Sequence, residues 1–342
     1  MKGGNFEDSR MKIVVLDGHT LNPGDLSWDS ISALGSLEIH PRTAPDQVVE
    51  RTRDADIILT NKSPLTAGTI AQLEKTRLIS VLATGYNIVD TAAAAKKGIT
   101  VCNVPTYGTA SVAQFTFALL LELCHHSGLH NREVKEGAWC RCPDFSFWTT
   151  PLVELAGKTM GVVGFGRIGH EVGVIAQAFG MEVWATQGKT SVELKGGRFA
   201  WKSIPEIFRG CDVIALHCPL TPENRGFVNR ELIHSMKKKA FLINTARGLL
   251  VNESDLAVAL TEGRIAGAAL DVLSQEPPSP ENPLLHAANS IITPHQAWAT
   301  LEARSRLMET TVANIKAFLA GSPIHVVSGP NREDSINRKK AQ

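Results

Sequence analysis

Short runs of β-branched and aliphatic residues alternate with helix-like segments along most of the chain, and turn residues separate them. The apolar runs that we expect to form strands are 13–16, 57–59, 78–82, 159–163, 182–185, 213–216, 241–243, 265–270 and 291–293. The runs after residue 158 are continuous rather than alternating, which is typical of strands buried on both faces of a sheet. The alternation of strands with helices therefore predicts an α/β fold with parallel sheets.

A nearly all-apolar helix predicted from Ser111 to His126 divides this pattern, and we expect it to be buried between layers or domains. A chain of 342 residues is longer than one hydrophobic core usually serves. We therefore predict two Rossmann-like, doubly wound parallel-sheet domains, one of them inserted into the other. The predicted ranges are 11–110 with 296–330 for the outer domain, 111–295 for the inserted domain, and 1–10 and 331–342 for flexible tails.

The charge balance and the cysteines narrow the class of function. Lys and Arg total 35, and Asp and Glu total 34. The chain therefore has almost no net charge that would attract nucleic acid or an anionic membrane as a partner. No apolar run reaches the roughly 18 to 20 residues of a membrane span. Six cysteines without a C-x-x-C pair suit reduced thiols in a cytoplasmic protein, and Cys140 and Cys142 lack companion ligands, so we expect no metal.

One glycine motif follows a predicted strand and opens a predicted helix. It consists of Gly164, Phe165, Gly166, Arg167, Ile168 and Gly169, in the pattern G-x-G-x-x-G. The first glycine permits a tight turn, the second lets the backbone approach a pyrophosphate, and the third lets the helix pack on the strand. The motif predicts a dinucleotide site, and the alternative is a glycine-rich turn without a ligand.

The end of the next predicted strand bears on which dinucleotide is bound. An NAD-selective site usually carries a carboxylate there for the ribose hydroxyls. The chain instead has Gln187, followed by Lys189, so the repulsion of a 2′-phosphate is missing. We expect NAD or NADP as cofactor, with NADP tolerated or preferred; the alternative is a solvated loop whose backbone contacts the ribose.

Three polar side chains, Arg247, Glu276 and His295, follow consecutive strands of the inserted domain. The carboxyl ends of parallel strands line one crevice, so these side chains are expected to converge. Reduction of a 2-oxo acid needs a cation for the carboxylate, a proton donor for the nascent alkoxide, and a partner for that donor. Arginine, histidine and glutamate suit these tasks in that order. Each residue alone also has an ordinary structural explanation.

The chain resembles the D-isomer-specific 2-hydroxyacid dehydrogenase family over nearly its whole length. The motifs that carry the resemblance are 163–169, 217–221, 243–248, 270–272, 276–277 and 293–295. The resemblance implies Arg247, Glu276 and His295 as the catalytic set. It also implies a homodimer formed mainly through the dinucleotide-binding domains. The cofactor contacts expected on this basis, besides the glycine motif, are His217, Cys218, Pro219, Thr245, Ala246 and Asp271, with the 217–219 turn against the adenosine and Asp271 near the nicotinamide amide.

The same resemblance assigns the outer, flavodoxin-like domain to the substrate. A loop with Ala83, Thr84 and Gly85 is expected to meet the substrate carboxylate, and Lys62 to border the same cleft. Residues 16–26 and 144–148 are most similar to the glycerate dehydrogenase, or hydroxypyruvate reductase, branch, so hydroxypyruvate and glyoxylate are the expected substrates. The alternatives are a D-lactate-type or other 2-ketoacid reductase, and an NAD(H)-sensing binding protein or corepressor. Formate-oxidising relatives are disfavoured because they carry Gln at the position of Glu276.

Overall fold

A computed structural model of the chain describes residues 11–188 and 192–328. The strands are β1 (Lys12–Val15), β2 (Ser36–Ile39), β3 (Ile57–Thr60), β4 (Leu78–Val81), β5 (Thr100–Cys102), β6 (Thr159–Val163), β7 (Glu182–Ala185), β8 (Phe199–Trp201), β9 (Val213–Leu216), β10 (Phe241–Asn244), β11 (Gly267–Leu270) and β12 (Ser290–Ile292). The helices are α1 (Gly18–Leu21), α2 (Asp29–Ser32), α3 (Val48–Thr52), α4 (Ala67–Ala71), α5 (Thr91–Lys96), α6 (Thr109–His125), α7 (Ser127–Lys135), α8 (Ala138–Arg141), α9 (Arg167–Ala178), α10 (Ile204–Gly210), α11 (Arg230–Ser235), α12 (Glu253–Thr261) and α13 (Leu301–Leu319). Short 3-10 helices lie at Pro45–Gln47, Gly248–Leu250 and Pro283–Leu285.

None of the helices in these described ranges has both the length and the apolarity to cross a lipid bilayer. Both predicted tails, residues 1–10 and 331–342, lie outside the described residues.

The first compact unit is built on a five-stranded sheet in the order β2-β1-β3-β4-β5. Every neighbouring pair in it is parallel. This 2-1-3-4-5 order is the flavodoxin-like form of the doubly wound fold. Strands β3 and β4 are buried at every position, as their continuous apolar sequences require.

The second compact unit is built on a seven-stranded sheet in the order β12-β11-β10-β9-β6-β7-β8. All of its strand pairs are parallel as well. The order reverses between β6 and β9, which is the switch point where doubly wound folds bind ligands. Helices α6 and α9 bury Phe117, Leu120 and Val172 in one core cluster, whereas Phe208 of α10 and Leu256 of α12 belong to another.

The prediction of two doubly wound parallel sheets is confirmed. The boundaries between the two compact units differ by a few residues from the predicted domain boundaries. The first unit contains the residues up to Gly108 and those from Ala299 onward, and the second is Thr109–Trp298. Residues 109 and 110 join the second unit because α6 starts at Thr109. Residues 296–298 join it because Gln296 and Ala297 donate their N–H groups to Asp271, next to β11.

Three strands were not predicted from the hydrophobic pattern. Strands β2 and β8 are the outermost strands on one side of each sheet, and neither has a fully buried residue. An edge strand needs no continuous apolar sequence, so its pairing is decided by the neighbouring strand. Strand β5 has only three residues, too few for a recognisable period. Strand β11 also begins at Gly267 rather than at Ile265.

Candidate active site

The glycine loop turns tightly where β6 ends. Gly164 has a φ of +98°, and a Cβ on it would lie 2.3 Å from the backbone nitrogen of Cys218. A Cβ on Gly169 would lie 2.3 Å from the carbonyl oxygen of Gly164. Both positions therefore require glycine, because any side chain would collide with backbone. The Gly164 N–H also donates to Thr186 Oγ1 at 2.9 Å, which ties the loop to the end of β7.

Gly166 presents an open stretch of backbone at the start of α9. It is the N-cap residue of this helix, and a Cβ built on it meets no atom within 4 Å. The first N–H groups of a helix lack acceptors within the helix, and the positive end of the helix dipole lies there. Arg167 is exposed and Ile168 is half-buried. The loop therefore fits the diphosphate of a dinucleotide.

A cavity of about 250 Å³ lies beside the glycine loop. Its lining residues are Val163, Gly164, Phe165, Thr186, Gln187, Gly188, Ile204, Cys218, Asn224 and Phe227. Gln187 is exposed there, and the lining includes neither Asp nor Glu. Lys189, the other residue predicted to affect cofactor choice, lies outside the described residues. None of the described residues that line this cavity is a carboxylate that would repel a 2′-phosphate.

The chain after β9 turns at His217, Cys218 and Pro219. Asn224 holds this turn, because its Nδ2 donates to Pro219 O and its Oδ1 accepts from Thr221 N–H, each at 2.8 Å. Burial lowers the pKa of His217 to about 4, so the ring is neutral at pH 7. Burial likewise raises the pKa of the Cys218 thiol.

Glu276 and His295 form a direct pair. His295 Nδ1 lies 2.6 Å from Glu276 Oε2, and Glu276 Oε1 accepts from Leu273 N–H at 3.1 Å. His295 adopts a positive φ of 52°, and its N–H donates to Asp271 O at 2.8 Å. The main chain thus fixes the histidine, and the carboxylate fixes its ring. Both side chains keep about a third of their surface in solvent, so a reactant can approach them.

The buried Asp271 holds the loop that carries His295 in place. Its carboxylate accepts from Thr293 Oγ1 at 2.7 Å and from the N–H groups of Gln296 and Ala297 at 2.9 Å. Burial raises the pKa of Asp271, and these donors, with the nearby His295, offset part of that effect. The loop from Thr293 to Ala297 is therefore wrapped around one carboxylate.

The turn that carries Arg247 is held from within and packed against the Glu276 loop. Asn244 Oδ1 accepts from Ala246 N–H at 3.0 Å, and its Nδ2 donates to Arg247 O at 2.9 Å. A Cβ on Gly248 would lie 1.9 Å from the carbonyl carbon of Leu273. The backbone at Gly248 is thus in contact with the backbone at Leu273, three residues before Glu276. The guanidinium itself is exposed and donates to Ala246 O at 2.7 Å.

The predicted substrate loops of the first unit are each held by hydrogen bonds to other segments of that unit. Asp17 accepts the backbone N–H groups of Asn61, Lys62 and Ser63 at 2.8, 2.5 and 2.7 Å. The Ala83–Thr84–Gly85 loop is tied to the end of β5, because Ala83 O accepts from Val104 N–H at 3.0 Å and Thr84 Oγ1 donates to Val104 O at 2.8 Å. Both loops therefore have a defined backbone.

Comparison with known proteins identifies the family. The sequence model of the D-isomer specific 2-hydroxyacid dehydrogenase NAD-binding domain matches residues 117–297. A hydroxypyruvate reductase from Blautia hydrogenotrophica is 50% identical over 321 residues, which are 93% of this chain and 100% of that protein. The chain belongs to the D-isomer-specific 2-hydroxyacid dehydrogenases.

Two further enzymes are similar to this dehydrogenase over most of their length. A glycerate dehydrogenase from Methylorubrum extorquens is 40% identical over 285 residues, covering 83% of this chain and 88% of that protein. The solved structure of an NADPH-dependent glyoxylate/hydroxypyruvate reductase from Sinorhizobium meliloti, bound to NADP and malonate, has a TM-score of 0.79 and 28% identity, covering 94% of this chain and 97% of that chain. The chain is thus an NAD(P)-dependent dehydrogenase, and the open glycine loop fits that cofactor class.

Several residues that shape this dehydrogenase site were given no role from the sequence. Thr186 binds the glycine loop, Asn244 holds the Arg247 turn, and Thr293 binds Asp271. Each is a small polar residue at a strand end, a position where the sequence shows many such residues. A single signal was present for Asn244 and Thr293, because each lies two or three residues before a predicted catalytic residue.

The neutral His217 should make stability depend on pH. Its folded pKa of about 4 lies below the unfolded value near 6.5, so the unfolded chain binds more protons between these limits. Stability is therefore lost as the pH falls from about 6.5 to about 4, by roughly 3 kcal/mol at most. Urea unfolding across this range should show a shallower loss for His217→Gln, and an unchanged slope for His234→Gln on α11. Equal slopes for the wild type and His217→Gln would contradict the assignment.

Proposed function

We propose that this dehydrogenase reduces hydroxypyruvate or glyoxylate to D-glycerate or glycolate, using NADH or NADPH, and catalyses the reverse oxidation. The observation that carries the proposal is the 2.6 Å Glu276–His295 pair in the unit that also carries the dinucleotide loop. The 50% identity to a hydroxypyruvate reductase supports the choice of substrate. The nicotinamide ring, when bound, supplies or accepts the hydride.

In the proposed mechanism His295 moves the proton. During reduction it donates to the oxygen of the 2-oxo group, and during oxidation it accepts from the 2-hydroxyl. Glu276 binds Nδ1, so Nε2 is the nitrogen left to face the substrate. The carboxylate also holds the ring in one orientation. Asp271 acts through His295, since it holds the loop that carries the histidine.

Arg247 is the proposed cation for the substrate carboxylate. Its planar guanidinium can bind both carboxylate oxygens, and an N–H can polarise the neighbouring carbonyl. Its exposure and the fixed backbone of its turn support this role. Lys62, Ala83, Thr84 and Gly85 of the first unit remain proposed substrate contacts. The well-defined backbone of their loops supports that proposal.

A panel of 2-oxo acids tests the function. We expect hydroxypyruvate and glyoxylate to have the highest kcat/KM, ahead of pyruvate, when oxidation of NADH and NADPH is followed spectrophotometrically. His295→Ala should lower kcat by roughly 10²- to 10⁴-fold, the usual contribution of a general acid. His234→Ala on α11 is the matched control and should retain full activity.

The possible outcomes separate the alternatives. A preference for pyruvate would indicate a D-lactate-type reductase. Tight NADH binding without turnover of any 2-oxo acid would indicate a dinucleotide-sensing protein. Near-normal kcat in the His295→Ala variant would show that another group donates the proton.

We also propose that the enzyme accepts NADP(H), because Gln187 lines the cavity where an NAD-selective enzyme carries a carboxylate. Gln187→Asp would place a negative charge against the 2′-phosphate. The ratio of kcat/KM for NADH to that for NADPH should then rise by roughly tenfold or more. Gln187→Asn keeps a neutral amide and should leave the ratio nearly unchanged. An overwhelming preference of the wild type for NADH would contradict the proposal.

We propose that two copies of the chain associate through the second unit. Phe145 and Trp148 are 93% and 64% exposed, and Trp139 and Leu152 are about half exposed nearby in sequence. The segment is nevertheless held in place, because Trp139 Nε1 donates to Phe145 O at 3.0 Å and Thr149 Oγ1 donates to Glu133. An ordered segment that exposes large apolar side chains indicates a protein interface.

Light scattering after gel filtration tests the dimer. The wild type should have about twice the 36.9 kDa mass of one chain. The double variant Phe145→Ser/Trp148→Ser should shift toward the monomer, because the interface loses its large apolar groups. Val258→Ser removes a partly exposed apolar side chain from α12 and should leave the mass unchanged. A monomeric wild type would rule out this interface.

We propose a cytoplasmic location, because all six cysteines are free thiols. Burial raises the pKa of Cys102 and Cys124 to about 11 and that of Cys211 to about 12, so these three are protonated and unreactive. Such thiols suit a reducing compartment.

A further inference from the structure

The loop that carries Glu276 has little buried surface of its own. It comprises residues 274–282, and three of these nine residues are prolines, which have no backbone N–H to donate. Leu273 before the loop and Leu284 after it are buried in one core cluster, whereas residues 274–277 are exposed. The position of Glu276 therefore depends on polar contacts made at the two ends of the loop.

One carboxylate, that of Glu253, binds both ends of this loop. Its Oε1 accepts from Ser274 N–H at 2.5 Å, and its Oε2 accepts from Ser274 Oγ at 2.9 Å and from Asn282 Nδ2 at 2.8 Å. Glu253 is the first residue of α12, and Leu256 of this helix is buried in the same core cluster. The loop is thus tied at its start and at its end to one packed helix.

The start of α12 is satisfied by other side chains. Asn252 is the N-cap residue, and its Oδ1 accepts from Asp255 N–H at 3.1 Å. Asp255 also places a carboxylate in the first turn, and its Oδ2 accepts from Arg230 N–H of α11 at 2.9 Å. Glu253 differs from both residues, because the three donors that it accepts from all lie in the Glu276 loop.

Two consecutive backbone N–H groups connect Glu253 with the proposed proton donor. The N–H of Ser274 donates to Glu253, and the preceding N–H, that of Leu273, donates to Glu276 Oε1 at 3.1 Å. The other oxygen, Glu276 Oε2, lies 2.6 Å from His295 Nδ1. A shift of this short stretch of backbone would therefore carry the Glu276 carboxylate away from the histidine.

We propose that Glu253 is a positioning residue, which keeps Glu276 in contact with His295. The inference rests on the proposed function, in which these two side chains form the proton-transferring pair. Glu253 acts through the backbone at Ser274, and Asn282 shares its role because it holds the far end of the loop to the same carboxylate.

The kinetics of Glu253→Ala test this role. The loop loses three hydrogen bonds, and kcat for hydroxypyruvate should fall by roughly 10- to 100-fold, since a displacement of about 1 Å can have an effect of that size. The Kd of NADH, measured by calorimetry, should stay unchanged, because the glycine loop follows a different strand, β6. Asp255→Ala is the matched control, since it removes the other carboxylate from the first turn of α12 and should leave kcat unchanged.

An exchange of amide and carboxylate covers the case in which Glu253→Ala does not fold. Glu253→Gln places an amide NH₂ against the NH₂ of Asn282, and Asn282→Asp places two carboxylates together, so each change should lower kcat. Asn282→Asp still offers an oxygen to Leu284 N–H, as Asn282 does. The double variant Glu253→Gln/Asn282→Asp again sets a donor opposite an acceptor, and it should recover most of the lost kcat.

A second background distinguishes positioning from a general effect on stability. In Glu276→Ala no carboxylate remains to be positioned, so adding Glu253→Ala should change kcat by less than about twofold. A merely structural role of Glu253 would give the same fold loss in both backgrounds.

The outcomes are distinct. Unchanged kcat in Glu253→Ala and Glu253→Gln, or equal losses with and without the Glu276 carboxylate, would overturn the inference. A double variant that recovers no activity would overturn it as well. A wild type that reduces no 2-oxo acid would instead contradict the proposed function itself, so the two failures can be told apart.

Discussion

The buried carboxylate of Asp271 is the group on which the arrangement of the proposed proton donor depends. It accepts a hydroxyl and two backbone N–H groups, and its own carbonyl oxygen accepts the N–H of His295. A carboxylate in such a place is costly without donors, so the loop after β12 folds around it. The backbone of His295 is therefore fixed at a positive φ, and its ring is left to bind Glu276.

Close backbone contacts bring the remaining parts of the site together. Gly164 has no room for a side chain beside Cys218, and Gly248 has none beside Leu273. The first contact joins the dinucleotide loop to the turn after β9, and the second joins the Arg247 turn to the segment leading to Glu276. Because these turns all follow parallel strands of one sheet, chemistry from distant parts of the sequence lies at a single edge.

The two histidines at this edge have opposite environments. Burial lowers the pKa of His217, so its ring is neutral at pH 7, and its Nδ1 lies 3.5 Å from Thr245 Oγ1. His295 keeps part of its side chain in solvent and has the Glu276 carboxylate 2.6 Å from its Nδ1. The same side chain is therefore a neutral group held in the fold in one place and the proposed proton donor in the other.

The two parallel sheets, the position of the glycine loop and membership of the dehydrogenase family could all be read from the amino-acid sequence, because continuous apolar runs and glycine spacing are local properties. It also singled out Glu276 and His295, whose contact the structure shows; their catalytic roles remain predictions. Only the tertiary structure decided that edge strands such as β2 and β8 pair, since a neighbour rather than their own pattern selects them. The folded structure also reveals what Asn244 and Thr293 bind, and it leaves Nε2 of His217 without a partner among the described residues. These depend on which polar groups meet after folding, and residues far apart in the chain supply them.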